Sequence, residues 1–536
     1  SSLRCECRVE GPRFSIRCGR SGTRTVPHAP PTRFVDRPAA RRRPRGALSV
    51  EGDPTALVLA ATGTLLLIAS LVSPVSQRLG VPALVFFITL GMVAGSDGLG
   101  GIPFDDYDFA FRIGTIALVL ILFDGGLNTP MSILRSVFAR AVSLATVGVV
   151  VTAAVVAGAG ILVGLPVPLA VLVGAVVSST DAAAVFSVLR GSGVRLEERT
   201  TATIEVESGL NDPMAVVLTA VATQAVLGEA PLGLGTALEV LHQFVVGTVG
   251  GIVFGMLGRL VLRGTALPAA GLYPVVTVGL AFLAYGATTL VHGSGFLAVY
   301  IAAIIVGTGP LPYRAGVRRV HDGLAWLSQL SMFLMLGLLV YPSRLWPLAD
   351  EGLILGLALA LVARPLAVLV SLAPFSTPWR ERGFVAWVGL RGAVPIVLAI
   401  LPVLGGAHRG EEIFHLVFFI VLVSSIIPGA TVALVAQKLG LSLGAVTSPP
   451  ATVELVSLRD YQGEFVWFHV ESASAVAGAA VRELPIPESC VMVLVLRKDQ
   501  VIAPRGDTEL MPGDHVCVFV TREHRALLDL LFGREV

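Results

Sequence analysis

The chain has 536 residues, of which 54% are hydrophobic and 14% charged, and its mean hydropathy is +0.80. A soluble domain is nearer about 25% charged, so the composition excludes a soluble protein and indicates a polytopic membrane protein. The net charge of +2 says little by itself; its distribution along the chain is what informs.

Residues 1–53 are rich in Arg and Pro, with Arg-Arg-Arg-Pro-Arg at 41–45 and no apolar periodicity. Such a segment cannot bury a core and is expected to be disordered. It lacks the apolar stretch of a signal peptide. An over-extended reading frame, with a start near Leu48–Val50, is the favoured explanation; a tail that binds anionic lipid is the alternative.

Hydropathy then predicts about thirteen spans, at 55–75, 81–96, 110–128, 140–163, 167–189, 201–227, 236–262, 268–290, 293–308, 321–341, 351–374, 383–404 and 412–437. Arginines and Lys438 occupy alternate connections, notably Arg135 and Arg140, Arg190, Arg195 and Arg199, and Arg314, Arg318 and Arg319. The other connections are acidic or nearly uncharged. By the positive-inside rule the basic set is cytoplasmic, which puts the start of the first span outside, the C-terminus inside, and makes the span number odd.

Two spans are interrupted. The fifth has Ser178-Ser179-Thr180-Asp181 at its middle, and the twelfth has Gly389-Leu390-Arg391-Gly392 with Pro395. Irregular backbone at membrane depth is tolerated where it is buried in protein or lines a cavity. Paired broken helices in equivalent positions of two halves point to a secondary-transporter binding site. Spans 5 and 12 are seven apart, so two six-span repeats joined by span 7 would be inverted relative to each other.

The sixth span, Thr201–Leu227, carries Glu205, Glu207, Ser208, Asn211 and Asp212 inside an apolar helix. A carboxylate at the bilayer centre costs at least about 2.5–3.5 kcal/mol on insertion scales. Ser208 and Asp212 are four residues apart and share a face, and Pro213 cannot donate to the Gly209 carbonyl. Carboxylate, hydroxyl and free carbonyl within one turn suit a hard alkali cation. A carboxylate out of water also takes up a proton more readily, so one group could serve both ions by competition. A salt bridge to another helix is the alternative for Asp212.

Thr180 can offer a carbonyl to an ion, and Asp181 can neutralise the positive end of a half-helix or act as its N-cap. Arg391 can compensate negative half-helix ends or pair with Glu207, Glu205 or Asp124. Asp124 lies in an apolar run of span 3 and reads as an ion ligand, an arginine partner or a carboxylate at the cytoplasmic end. Gly247, Gly251 and Gly255 permit close helix packing. Arg364 sits mid-span before Pro365 and needs a partner.

After a linker at 441–452, residues 453–536 read as a small cytoplasmic α+β domain. Strand-like runs occur at 465–470, 490–496 and 515–520, with a turn at Met511-Pro512-Gly513-Asp514 and a helix over Arg522–Leu531. The five cysteines, Cys5, Cys7, Cys18, Cys490 and Cys517, lack paired CxxC spacing, and the last two are expected to be packed thiols. There is no HExxH, GxSxG or phosphate-binding loop, nor a TVGYG-like filter. An enzyme and a ligand-gated potassium channel are therefore disfavoured. No cofactor or nucleic-acid partner is expected.

Thr180-Asp181, the run Glu207-Ser208-Gly209-Leu210-Asn211-Asp212-Pro213 and the run Gly389-Leu390-Arg391-Gly392-Ala393-Val394-Pro395 resemble the NhaP-type monovalent cation:proton antiporters over residues 54–440. The resemblance implies an all-α membrane fold of thirteen spans in inverted repeats with two broken crossing helices, a mobile core domain and a homodimer. It implies that Asp212 is the shared proton and cation carboxylate, completed by Ser208, Asp124 and the Thr180 carbonyl. Asp124 stands where many relatives carry Glu. Asn211 stands where electrogenic relatives have a second Asp, which implies electroneutral exchange. Glu207 and Arg391 resemble the family's structural ion pair. The C-terminal domain is similar to the TrkA-C module at Gly478–Leu484, Pro485-Ile486-Pro487 and Met511-Pro512-Gly513-Asp514. That combination implies the potassium/proton branch, with sodium/proton exchange as the alternative and residues 453–536 as the place for a small-molecule regulator.

Overall fold

The computed structural model describes residues 54–79, 82–229, 233–265, 267–309, 311–443, 463–471, 474–487, 489–498, 500–521 and 524–532. The leader at 1–53, with Cys5, Cys7 and Cys18, and most of the linker at 441–452 lie outside them.

The membrane part is built of helices. Its elements are α1 (Pro54–Leu79), α2 (Ala83–Ala94), α3 (Tyr107–Asn128), α4 (Met131–Ser143), α5 (Val149–Val163), α6 (Val167–Val176), α7 (Ala182–Gly191), α8 (Glu198–Leu227) and α9 (Leu234–Gly264). They continue as α10 (Leu272–Leu290), α11 (Gly295–Thr308), α12 (Arg314–Leu338), α13 (Pro342–Leu345), α14 (Ala349–Ala358), α15 (Arg364–Leu372), α16 (Trp379–Trp387), α17 (Ala393–Leu398), α18 (Ile400–Leu404) and α19 (Gly410–Lys438). Each predicted span coincides with a helix or with joined pieces of one. Eight helical stretches among the described residues are long and apolar enough to cross a membrane, and five further apolar helices are shorter. The protein is a helical membrane protein with a small strand-containing C-terminal domain.

Local sequence explains the ends. Asp106 caps α3 by accepting from the Phe109 amide at 2.9 Å, satisfying one of the donors a helix start leaves open. Gly164 closes α5 at φ +103°, a conformation that costs residues with a Cβ, and Pro166 and Pro168 then start α6. Two helices pass through a π turn, at Leu144–Gly148 between α4 and α5 and at Leu359–Ala363 between α14 and α15. These lie in spans 4 and 11, again seven apart, and the Ser143 hydroxyl donates to the Ser371 carbonyl at 2.8 Å between them.

Small residues let the helices approach. A Cβ on Gly91 of α2 would stand 2.3 Å from the Leu334 carbonyl oxygen of α12, and one on Gly307 of α11 would stand 2.4 Å from the Leu127 oxygen of α3. Gly251 and Gly255 of α9 press on Ala298, Ile301, Ala302 and Ile305 of α11, so that glycine stripe serves internal packing.

Beyond α19 the chain forms β2 (Ser442–Leu443), which pairs antiparallel with β1 (Arg195–Leu196), the strand just before α8. The C-terminal domain follows with β3 (Gly463–His469), β4 (Val491–Arg497), β5 (Gln500–Ile502), β6 (His515–Thr521) and α20 (Arg525–Phe532). Its antiparallel sheet has the order β3-β6-β4-β5. Alternation puts Val466, Phe468, Val516, Val518 and Val520 in one core with Leu528 and Phe532 of α20, where the Phe468 and Phe532 rings stack at 5.0 Å. Trp467, Leu496 and Cys517 cluster separately. β5 was not among the predicted strands, because three residues after a turn leave too short an alternation to read.

Asp514 holds the turn before β6. It is buried, accepts from Arg497 Nε and Nη2, both at 2.9 Å, and from the Met511 amide at 2.8 Å. Cys490 and Cys517 are free thiols inside the domain, and burial pushes the Cys517 thiol up to about 11. Asp514→Ala should therefore cost the domain about 2–3 kcal/mol, since it strands Arg497 and an amide. The check is maleimide labelling of the full-length protein near pH 7.5: the two thiols should resist the reagent in the parent and become labelled in the variant.

Candidate functional site

The two broken spans meet at their breaks. Between α6 and α7 the chain runs non-helically from Val177 to Asp181, and between α16 and α17 from Val388 to Gly392. The Asp181 amide donates to the Leu390 carbonyl at 2.8 Å. A Cβ on Gly392 would fall 1.9 Å from Asp181 Oδ2, so this glycine leaves the room that the Asp181 carboxylate occupies. Asp181 also caps α7 by accepting from the Ala184 amide at 3.1 Å, placing negative charge at the positive end of that half-helix.

α8 holds this crossing. The Ser208 hydroxyl donates to the Thr180 carbonyl at 2.9 Å and accepts from the Ala182 amide at 3.1 Å. Asn211 Nδ2 donates to the Thr180 hydroxyl at 2.6 Å. Both residues lie on the face of α8 that carries Asp212. Ser208 thus spends its proton on the oxygen that sequence reasoning reserved for an ion, and its acceptor capacity is partly used by Ala182. Asn211, singled out for the charge it lacks, is a tie between α8 and the break. Asp212 Oδ1 is enclosed without a hydrogen-bond partner among the described residues. The Ser179 hydroxyl stands beside it without meeting hydrogen-bond geometry.

A cavity of about 370 Å³ runs to this point between α7, α8 and α17 on one side and α3, α11 and α12 on the other. Ser179, Thr180, Asp181, Ser208 and Asp212 line its deep end, together with Tyr300. Asn128, Arg190, Glu205 and Asp322 line it where they are exposed. Those exposed residues sit at the end of α3, at the end of α7 and about two turns into α8 and α12, towards the ends joined by the Arg-rich connections. Asp124 also lines the cavity. Its Oδ1 accepts from Asn128 Nδ2 at 3.0 Å, and Asp322 and Arg318 are within electrostatic reach. The structure therefore brings Asp212, Ser208, Thr180, Asp181 and Asp124 around one cavity.

The opposite helix ends are tied together. Ser343 donates to Asp97, Arg344 pairs with Glu411, and the Tyr341 amide donates to His415 Nε2 at 3.3 Å. The Tyr107 ring meets Phe414 edge-on at 5.5 Å.

One expectation is corrected. Glu207 pairs with Arg364, not with Arg391: Arg364 Nη1 and Nη2 donate to Glu207 Oε1 and Oε2 at 2.5 and 2.9 Å, and Nη2 also reaches the Val385 carbonyl at 3.2 Å. The π turn just before Arg364 and the Pro365 that follows set α15 so that the guanidinium faces α8 in bidentate geometry. Arg391 is fully buried beside this pair, donates from Nη1 to the Gly389 carbonyl at 3.2 Å, and has Nε and Nη2 without partners among the described residues. That suits the half-helix compensation that was its other reading. Arg364 was visible as an unpaired charge at mid-span, but nothing in linear order tells which of two buried arginines reaches Glu207. Tyr300 was missed because one tyrosine in an apolar helix looks like core, and Asp322 because it sits in a basic connection.

Removing one partner of a buried, bidentate pair costs about 3–5 kcal/mol. Arg364→Leu should accordingly lower the melting temperature and yield of the purified protein more than the double change Glu207→Gln with Arg364→Gln, which leaves no stranded charge. Thermal unfolding in detergent checks the order.

Over residues 64–438 the chain matches the family described as sodium/hydrogen exchanger, transmembrane, and over 465–533 the TrkA-C domain. It is 40% identical over 464 residues to a protein of Alkalimonas amylolytica named K(+)/H(+) antiporter NhaP, covering 86% of this chain and 81% of that one. A K(+)/H(+) antiporter NhaP2 of Shewanella sp. (strain ANA-3) is 39% identical, with 87% and 82% covered. A Na(+)/H(+) antiporter NhaH of Halobacillus aidingensis is 28% identical over 408 residues, 70% of this chain and 97% of that one. The fold resembles that of the sodium proton antiporter MjNhaP1 from Methanocaldococcus jannaschii, with a TM-score of 0.63 at 24% identity over 72% of this chain and 99% of that one. The chain therefore belongs to the transmembrane sodium/hydrogen exchanger family, with a TrkA-C domain at its C-terminal end.

Proposed function

We propose that this protein is a secondary antiporter that exchanges a monovalent cation, potassium in preference to sodium, for protons, one for one, with Asp212 as the shared carboxylate. The observation that carries this is the enclosed, unpartnered Asp212 Oδ1 in a cavity that Ser179, Thr180, Asp181 and Ser208 also line. A carboxylate there is satisfied either by a proton or by a cation, not by both. Each competes with the other, and that competition is exchange.

The Thr180 carbonyl and the Ser208 hydroxyl turn towards a cation by giving up part of their mutual hydrogen bond, and Asp124 adds charge along the approach. Asn211 is neutral and Asp181 is engaged with α7, so a proton leaving as one cation arrives keeps the charge of the site constant. Glu207 with Arg364, and Arg391 beside them, hold the crossing and do not take part in exchange. Potassium is preferred because the relatives at 39–40% identity are named for it, whereas the sodium-named relative matches at 28%.

By the positive-inside rule the Arg-rich connections support a cytoplasmic cavity mouth and C-terminal domain, with the start of α1 outside. In that orientation the cavity faces inward, with the outer ends held by Asp97, Ser343, Arg344 and Glu411. The domains divide as a membrane exchanger at 54–440, a linker at 441–452 and a regulatory domain at 453–536. The pairing of β1 with β2 puts the start of the linker on the strand that leads into α8, which offers the regulatory domain a route to the helix of Asp212. A homodimer in the bilayer and a small-molecule ligand of the regulatory domain complete the reading. Its activity is transport, not enzymatic conversion.

Asp212→Asn should abolish cation-driven proton movement in everted vesicles while the protein still inserts, and exchange at the parent rate would overturn the assignment. In proteoliposomes carrying a pH dye, the parent should respond at lower potassium than sodium, at a rate independent of an imposed membrane potential. A potential-dependent rate would refute one-for-one exchange.

A further inference from the structure

We propose that the Tyr300 hydroxyl is a further ligand of the transported cation, supplied from α11 across the cavity from Asp212. The proposal rests on the Asp212 reading and deepens it.

Tyr300 is about 2% exposed. Its ring lies on α8 at Gly209, where an added Cβ would be 2.4 Å from Cζ, 2.5 Å from Cε2 and 2.8 Å from the hydroxyl oxygen. Gly209 follows Ser208 and precedes Asp212 by three residues, so the ring rests on the turn of α8 that carries both. Pro213 leaves the Gly209 carbonyl without its helical donor, and the flat ring seals that stretch of backbone. On the far side, Gly126 of α3 packs against the Tyr300 carbonyl, 2.7 Å from where a Cβ would be. The ring thus packs on α8 and its backbone on α3, and Tyr300 lines the same cavity as Ser208, Asp212 and Thr180, with Asp212 within electrostatic reach of its hydroxyl.

That hydroxyl has no hydrogen-bond partner among the described residues. Thr129 lies next to it without meeting hydrogen-bond geometry, and the Thr129 hydroxyl donates to the Gly125 carbonyl at 2.8 Å. A buried hydroxyl left unsatisfied is unfavourable, and phenylalanine would fill the same space without that penalty. A hydroxyl kept in such a place is therefore expected to meet something that enters the cavity.

Its chemistry suits a monovalent cation. A phenol offers lone pairs to a hard cation and, when the cation is absent, donates its proton to a carboxylate or a water. Being uncharged, it adds a ligand without changing the charge count of the exchange. It also adds to a shell whose other members come from the break before α7 and from α8: Thr180 belongs to that break, Ser208 and Asp212 to α8, and Tyr300 comes from α11.

The test is Tyr300→Phe in the full-length protein, which keeps the ring on Gly209. Exchange in proteoliposomes should need roughly threefold to tenfold more potassium for half-saturation, the fold-change expected for one lost ligand contact, with the maximal rate within about twofold of the parent. The rise in melting temperature on titrating KCl or NaCl into the purified protein should move to correspondingly higher salt. An unchanged half-saturation and salt dependence would overturn the proposal. So would a uniform fall in melting temperature at every salt concentration with half-saturation unchanged, which would mark a packing role. Asp212→Asn measured in parallel should lose the salt-dependent rise. If it keeps the rise, the Asp212 site is wrong and the Tyr300 proposal fails with it, whereas loss in Asp212→Asn with a parental Tyr300→Phe refutes Tyr300 alone.

Discussion

Thr180 is gripped at both of its oxygens by α8, its carbonyl by Ser208 and its hydroxyl by Asn211. The rest of the site depends on that grip. A helix interrupted in the membrane exposes amides and carbonyls that lipid cannot satisfy. Here the freed groups are answered by a neighbouring helix and by the second break, through the Asp181 amide and the Leu390 carbonyl. The interruption can then persist at depth, and the side chain three to four residues along the gripping face, Asp212, is delivered to the same point. The tie that stabilises the break and the placement of Asp212 are one arrangement.

The charges around it divide by whether a protein partner answers them. Glu207 is answered twice by Arg364, and Asp181 by the Ala184 amide at the start of α7. Asp212 is left with an oxygen that no described group satisfies. In a medium where an unpaired charge is expensive, that sets Asp212 apart from the other charges of the crossing. The division gives the five polar residues of α8 different surroundings. Glu205, which had no role on sequence grounds, lies at the exposed part of the cavity across from Arg190.

Equivalent positions recur seven spans apart. The breaks in spans 5 and 12 were legible because polar residues, glycine and proline interrupt otherwise apolar runs. The π turns in spans 4 and 11 were not, since Leu144–Gly148 and Leu359–Ala363 read as ordinary apolar helix. Yet the second of them positions Arg364. The ion-pair assignment went to Arg391 because that arginine lies in a conspicuous motif. In space Arg391 is beside the pair, and the geometry of its neighbour after the π turn decided which arginine became bidentate.

By itself the sequence determined that this is a membrane protein, where its helices lie, which two are broken, and that α8 carries carboxylates at mid-span. Apolar length, loop charge and misplaced polar residues are properties of linear order, and each carries a free-energy cost large enough to read directly. Only the tertiary structure decided which partners those residues take. It joined Glu207 to Arg364, turned Asn211 and Ser208 towards Thr180, and brought Tyr300 of α11 onto Gly209. Those contacts link residues 28 to 157 positions apart in the first two cases and depend on helix approach distances set by glycines. No local pattern encodes such distances.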